Sequence, residues 1–366
     1  MFNRQRLTFA RKRRGMNMTQ LAREIGVDLR AVSAYEKGEY PPKEDRLERI
    51  SEVLGFPSTF FMLDDIPELS PDTASFRAMS KMSAAKRDIA LSAGGVALLL
   101  NQAIESRFSL PVVDLPDLSR EPNPESAAEA LRRHWGLGEL PIKNILHLLE
   151  SKGVRVYSLA INAQEVDAFS LWRDEQPFVF LNTRKSSERS RFDCGHELGH
   201  LVIHRHGELR LDGSQTIERE ADAFSSALLM PRASVLSYAP AMPTLANLIR
   251  LKKIWGVSVA ALNYRLHYLG LSTEWHYREL AIQIAKNGYR KEEPESAPRE
   301  TSQVLGKVLA GLRDEGVSKA VIARELHVTV GELDDLVFGL AVTGVQGGQV
   351  QSSNPRNQKP TLKLVK

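Results

Sequence analysis

The stretch RFDCGHELGHLVIHRHG, residues 191–207, gathers four of the nine histidines of the chain into eleven positions. His196 and His200 are four apart, so on an α-helix both rings leave one face a turn apart, close enough to hold a single ion. That spacing constrains the surrounding structure. SERSRFDCGHELGHLVIH must be one continuous helix, and a second element must approach it to complete a ligand set. Glu197 stands where the glutamate of an HExxH site stands, not as a ligand but as general base over a metal-bound water. Downstream, IEREADAFSSALLMP reads as the second helix and offers Glu218 as third ligand. Asp222 lies one turn beyond, placed to accept a hydrogen bond from a ligand histidine, and Ala221 leaves room for two helices to pack closely. Glu218 has two rivals. His206 reproduces the HExxHxxGxxH spacing, except that Ile203 replaces the glycine that lets the chain turn back to the metal. Glu220 points roughly 200° away from Glu218 on the same helix. His204 lies two turns, roughly 12 Å, from His196, too far along a straight helix to share the ion. Cys194 falls about 200° around the helix from His196, which predicts a small buried residue facing away from the metal.

The segments around this motif mix helix and strand. SAAEALRRHWGL and PIKNILHLLESKG read as helices, VRVYSLA as a strand, and FSLWRDEQPFVFLN as a hairpin turning at DEQP. Helices dominate again from Ser234 to Asn287. The alternating strand residues predict a sheet edge along which an extended peptide can align. Residues 119–290 are therefore expected to form an α+β, mostly helical domain with a small sheet.

The amino terminus differs in kind. Net charge is +4 for the whole chain, yet residues 1–30 hold eight Arg or Lys against two Asp or Glu. Any attraction to nucleic acid is thus concentrated there. Residues 1–66 read as a five-helix helix-turn-helix domain. Asn17 caps a helix ended by Gly26, DLRAVSAYEKG forms the next, closed by Gly38, and Leu47, Ile50 and Leu54 face inward from a fourth. Arg11, Lys12, Arg13 and Arg14 are expected on phosphates. The recognition helix exposes Leu29, Ser33 and Ala34, which leaves Arg30 as the main candidate for a guanine contact.

Residues 67–118 read as a helical spacer. The hydrophilic RKEEPESAPRETS sets off a C-terminal helical unit over 300–345, followed by a disordered tail over 346–366. IARELHV at 322–328 echoes LAREIGV at 21–27. Glu332, Asp334 and Asp335 follow where groove-facing groups would stand, and carboxylates there would repel phosphate, so this copy is expected to be a protein-contact or packing element. Cys194 is the only cysteine, which fits a reducing compartment. No apolar run is long enough for a membrane span and the first residues lack a secretory core, so the expected location is the cytoplasm, with no membrane partner.

VSAYEKG and GFPSTFF in the first domain, SFRAMSKMSAAKRD after it, the HELGH helix, EREADAFSSALLMP with its Leu-Met-Pro ending, and LKKIWGVSVAALNYRL together carry a resemblance. The chain resembles the ImmA/IrrE family of zinc metallopeptidases, in the variety with an Xre-type helix-turn-helix domain, over most of its length up to about residue 340. The resemblance implies a zincin-like, gluzincin core with one Zn2+ per chain on His196, His200 and Glu218, and Glu197 as base. It also implies a protein substrate, since some relatives cut a helix-turn-helix repressor and thereby switch on stress or mobile-element genes. The expected function is a zinc-dependent regulatory endopeptidase that also binds DNA, with a homodimer compatible. The alternative is a helix-turn-helix transcription regulator whose zinc fold senses or docks a partner without proteolysis.

Overall fold

The computed structural model describes residues 1–67, 69, 83–159, 168–205 and 214–341. They are mostly helical with one small sheet, an α+β chain, and divide into two compact units: residues 1–69 with 83–111 and 301 onward, and residues 112–300. The tail expected over 346–366 lies outside the described residues, as do SFRAMSK and His206.

In the first unit, α1 (Arg4–Arg13), α2 (Met18–Ile25), α3 (Leu29–Lys37) and α4 (Glu44–Leu54) are followed by a 3-10 segment, Ser58–Met62. Their ends are written in the sequence. Asn17 and Gln20 close a capping box at the start of α2, and Asp28 accepts from the backbone of Ala31 at the start of α3. Gly26 and Gly38 end these helices with φ of 70° and 77°, a left-handed conformation that glycine adopts without the steric cost a Cβ brings. Leu7, Leu21, Val32, Ile50, Leu54, Phe56 and Phe60 form the core.

Residues 84–105 form α5 (Ala84–Glu105), and here the spacer expectation is corrected. From Ala90 to Leu98 every residue of α5 is buried, the signature of a central helix rather than a tether. It packs on α1 through small residues: a Cβ at Gly95 would lie 2.7 Å from the ring of Phe9. The C-terminal helices belong to the same unit, and a Cβ at Gly311 would meet the ring of Phe108, just beyond α5, at 2.8 Å.

The second unit opens with α6 (Pro124–His134) and α7 (Ile145–Ser151), then β1 (Arg155–Ser158), β2 (Ala168–Arg173) and β3 (Gln176–Leu181). The order is β1-β3-β2, with β1 parallel and β2 antiparallel to the central β3. The hairpin turns on only two residues, Asp174 and Glu175, with φ of 48° and 63°, so Gln176 and Pro177 of the expected turn are instead strand residues of β3. The rest is helical: α8 (Ser187–Ile203), α9 (Ser214–Leu229), α10 (Arg232–Tyr238), α11 (Leu245–Trp255), α12 (Val259–Tyr268) and α13 (Glu274–Lys286). Beyond it, α14 (Gln303–Asp314), α15 (Lys319–Glu325) and α16 (Val330–Val337) complete the first unit. Arg265 of α12, 1 % exposed, ties the second unit together by donating to both oxygens of Glu125 at 2.6 Å and to the carbonyl of Met230 at 2.9 Å. A paired, hydrogen-bonded guanidinium is the form in which such a charge tolerates burial.

Candidate metal centre

The helix predicted around HELGH is α8. Its first turn is capped by Ser186, whose side chain accepts from the backbone of Arg189. Two glycines on α8 face α9. A Cβ at Gly195 would lie 2.5 Å from Ser225 Oγ, and one at Gly199 would lie 3.0 Å from the ring of Phe224 and 3.4 Å from the Cα of Ala221. A Cβ at Gly195 would force a shift and one at Gly199 would press on α9, so the two glycines favour the close approach of the helices, and Glu218 of α9 lies beside the histidines of α8. Trp172 of β2 donates to the carbonyl of Leu201 at 3.1 Å, fixing the sheet to the other side of α8.

His196, His200 and Glu218 each offer one ligand atom, all within 4.8 Å of one another. His196 Nε2 and His200 Nε2 are 3.1 Å apart, and Glu218 oxygens lie 3.6 and 3.5 Å from them. A tetrahedral zinc ion with ligands about 2.0–2.1 Å away spaces those ligands about 3.3 Å from each other, and the separations of 3.1, 3.6 and 3.5 Å, the last two to different Glu218 oxygens, are close to that. The hydrogen-bonding pattern agrees. Asp222 Oδ1 lies 2.9 Å from His196 Nδ1, and an ionised carboxylate can only accept. The Nδ1 hydrogen of His196 therefore points at Asp222, and Nε2 faces His200 and Glu218, so a metal binding there would displace a proton otherwise shared with Glu218. Electronegative atoms converging in this way call for a cation. Burial opposes charge on His196, yet its hydrogen bonds to Asp222 and Glu218 outweigh it and lift the pKa from 6.5 to about 10. Burial likewise opposes ionisation of Glu218, and its bonds to His196 and His200 nonetheless hold it well below the carboxylate range.

Glu197 is 2 % exposed and turns toward the sheet, where Ser170 Oγ of β2 donates to its Oε2 at 2.6 Å. Ser170 escaped the sequence reading. Its signal was a hydroxyl in the otherwise apolar run AFSLW, where a buried polar atom has to find a partner. Cys194 is buried, and that burial pushes its thiol well above the usual value, which fits a packing residue. Glu220 is not among the three candidate ligand residues and lies 2.9 Å from His204.

The basic residues of the first unit separate into two groups. Arg11 makes a two-pronged bond to Glu36 at 2.6 and 2.8 Å. Arg13, 8 % exposed, and Arg14 converge on Glu332 of α16 at 2.8 and 2.6 Å, with Asp335 3.4 Å from Arg13. The expectation that these three arginines bind phosphate is corrected: their guanidinium groups are neutralised inside the unit. Glu332 and Asp335 thus act as packing groups within the unit, one of the two roles expected of this copy. The bonds to Arg13 and Arg14 outweigh burial and hold the Glu332 carboxyl below its ordinary value. Arg30 is exposed and Lys12 half-buried. On α3, Leu29 is exposed as expected, Ser33 is only partly so, and Ala34 is buried in the core, so the recognition surface is smaller than the sequence implied.

Comparison with known proteins follows this division. Residues 149–267, which include the sheet, α8 and α9, match the family described as IrrE N-terminal-like domain, a peptidase family. Residues 9–61 match the helix-turn-helix family. No curated protein matches the chain. The chain therefore carries the two domains that its motifs indicated: an IrrE-type peptidase domain and, before it, a helix-turn-helix domain of a DNA-binding kind.

Proposed function

We propose that the chain is a zinc-dependent endopeptidase of the gluzincin type, one Zn2+ per chain on His196, His200 and Glu218, that cuts a helix-turn-helix repressor and so derepresses stress or mobile-element genes. The observation that carries this is the convergence of the three ligand atoms at zinc spacing with Glu197 beside them on the same helix. Zinc at such a site lowers the pKa of a bound water and polarises the scissile carbonyl. The protein does the rest. Ser170 holds Glu197 Oε2 and so sets the plane of the carboxylate. Glu197 takes the proton of the attacking water and delivers it to the nitrogen of the leaving amine. Asp222 orients His196. Among the described residues β2 is the outer strand beside α8, and an extended substrate added along it would lie across the ligands, its main chain recognised and its side chains alternating.

The repressor as substrate rests on the joining of a peptidase domain to a helix-turn-helix domain in one chain and on the family resemblance. DNA binding by residues 1–66 through Arg30 and Lys12, a cytoplasmic location and a homodimer belong to the same proposal. The decisive experiment mixes the purified full-length chain with a candidate repressor. Cleavage is expected, and it should vanish with a chelator and return with zinc. A repressor that stays intact while the chain holds zinc and the two proteins bind each other would instead establish the sensor alternative.

A further inference from the structure

Two residues that helical geometry excludes from the ligand set, His204 and Glu220, meet beside His200. His204 Nδ1 lies 3.1 Å from His200 Nδ1, and its Nε2 lies 2.9 Å from Glu220 Oε2. His204 follows the last turn of α8, its backbone N–H still bonded to the carbonyl of His200 at 3.2 Å, so its ring is carried at a fixed place next to His200. Glu220 comes from α9, two residues after Glu218. Both side chains are largely shielded, 16 % and 23 % exposed.

The hydrogens on this line can be assigned from its two ends. An ionised carboxylate only accepts, so Glu220 places the hydrogen of His204 on Nε2. A metal on His200 Nε2 leaves the hydrogen of that ring on Nδ1, which needs an acceptor, and the atom facing it is His204 Nδ1. The lone pair of His204 Nδ1 accepts the Nδ1–H of His200, and His200 keeps its own lone pair at Nε2, the atom that faces His196 and Glu218. We propose that His204 and Glu220 form a carboxylate–imidazole relay that fixes the tautomer and ring plane of His200 for metal binding, both as positioning residues. The two ligand histidines are then backed unequally: His196 by Asp222 directly, His200 by Glu220 through an intervening ring. The same relay bridges α8 and α9 at a point separate from the metal, so it also sets how Glu218 meets His200. This inference rests on the zinc reading of the site.

Zinc affinity of the full-length chain, read by competition with a chromophoric chelator, tests it without reference to peptidase activity. His204→Ala and Glu220→Gln are each expected to weaken zinc binding about 10- to 100-fold. The double variant should be no weaker than His204→Ala alone, because both changes break one line. His204→Gln should recover most of the affinity, since its amide oxygen can accept from His200 while its NH2 donates to Glu220. Unchanged affinity in both single variants, or losses that add in the double variant, would overturn the relay. Glu218→Ala separates this from failure of the zinc reading itself: stoichiometric zinc retained in that variant, or none taken up by the unmodified chain, would overturn the metal site and not merely its support.

Discussion

The peptidase unit and the helix-turn-helix unit both advertise their chemistry as clusters of one residue type, histidines in one and arginines in the other, but the structure treats the clusters differently. In the peptidase unit the histidines point at one another and at carboxylates that orient them. In the helix-turn-helix unit three of the four clustered basic residues after Ala10 point at acidic partners within the unit. The difference lies in what a motif specifies. HExxH fixes relative direction, because positions four apart on a helix share a face whatever surrounds them. A run of basic residues fixes only charge. Its destination depends on where acids fall elsewhere in the chain, and Glu332 lies more than 300 positions away.

Four measurements break or sharpen this contrast. The largest effect is expected at Glu197. Glu197→Gln should keep zinc and lose about 10²- to 10⁴-fold in kcat/KM toward a cleaved repressor, because an amide cannot take the proton of water. Full activity in that variant would remove the assigned base. Next comes the ligand set: Glu218→Ala should lose stoichiometric metal, whereas His206→Ala should keep it, as read by metal analysis of the purified variants.

In the helix-turn-helix unit the corresponding effect is one of stability. Glu332 is 3 % exposed between Arg13 and Arg14, and Glu332→Gln leaves two guanidinium groups without their shared countercharge, a change that costs about 3 kcal/mol for buried pairs. The sign of its pH dependence follows from the direction of its shift. The folded carboxyl titrates below its unfolded value of 4.5, so its contribution is fully present above that value and declines as pH falls through the lower, folded one. Thermal melts of wild type and Glu332→Gln should therefore converge on acidification below about pH 4.5 and stay apart above it. A constant gap across that range would show that the carboxylate is not what holds the pair. The smallest effects are on DNA. Arg30→Ala should cost about 1–3 kcal/mol at a preferred site, and Lys12→Ala should lower the salt slope of binding by about one, while Arg13→Ala at temperatures where it stays folded should leave the slope unchanged. Fluorescence anisotropy across a salt series distinguishes the three.

How much of this was legible follows the same division. The helix around HELGH, the placement of Glu218 beside both histidines, the contact of Asp222 with His196 and the burial of Cys194 were all readable from helical spacing, and the structure has them so. The two domains themselves were legible from local motifs, and the comparisons match both. What was missed depends on contacts between elements distant in sequence. The parallel pairing of β1 with β3 leaves no periodic trace in either strand. The complete burial of α5 from Ala90 to Leu98 was hidden by its alanines and glycines, which suit an exposed helix as well as a central one. Ala34 was misplaced because a small residue on α3 serves either a groove or a core. His204 was set aside by an argument about its reach to His196 along the helix, which did not consider that its ring would meet His200 and Glu220.

Gly195 and Gly199 give the peptidase site its scale. The gap between α8 and α9 is set backbone against side chain, with no methyl group between, and the span that a ligand carboxylate must cross is whatever that gap leaves. A single carbon added at either position would act as a shim, prying the two helices apart while every ligand stays chemically intact. Reacting groups displaced by about 1 Å can lose about 100-fold in rate. The spacing of the candidate metal site can thus be adjusted, in small steps and without touching a charged residue, by the thickness of what lies between two helices.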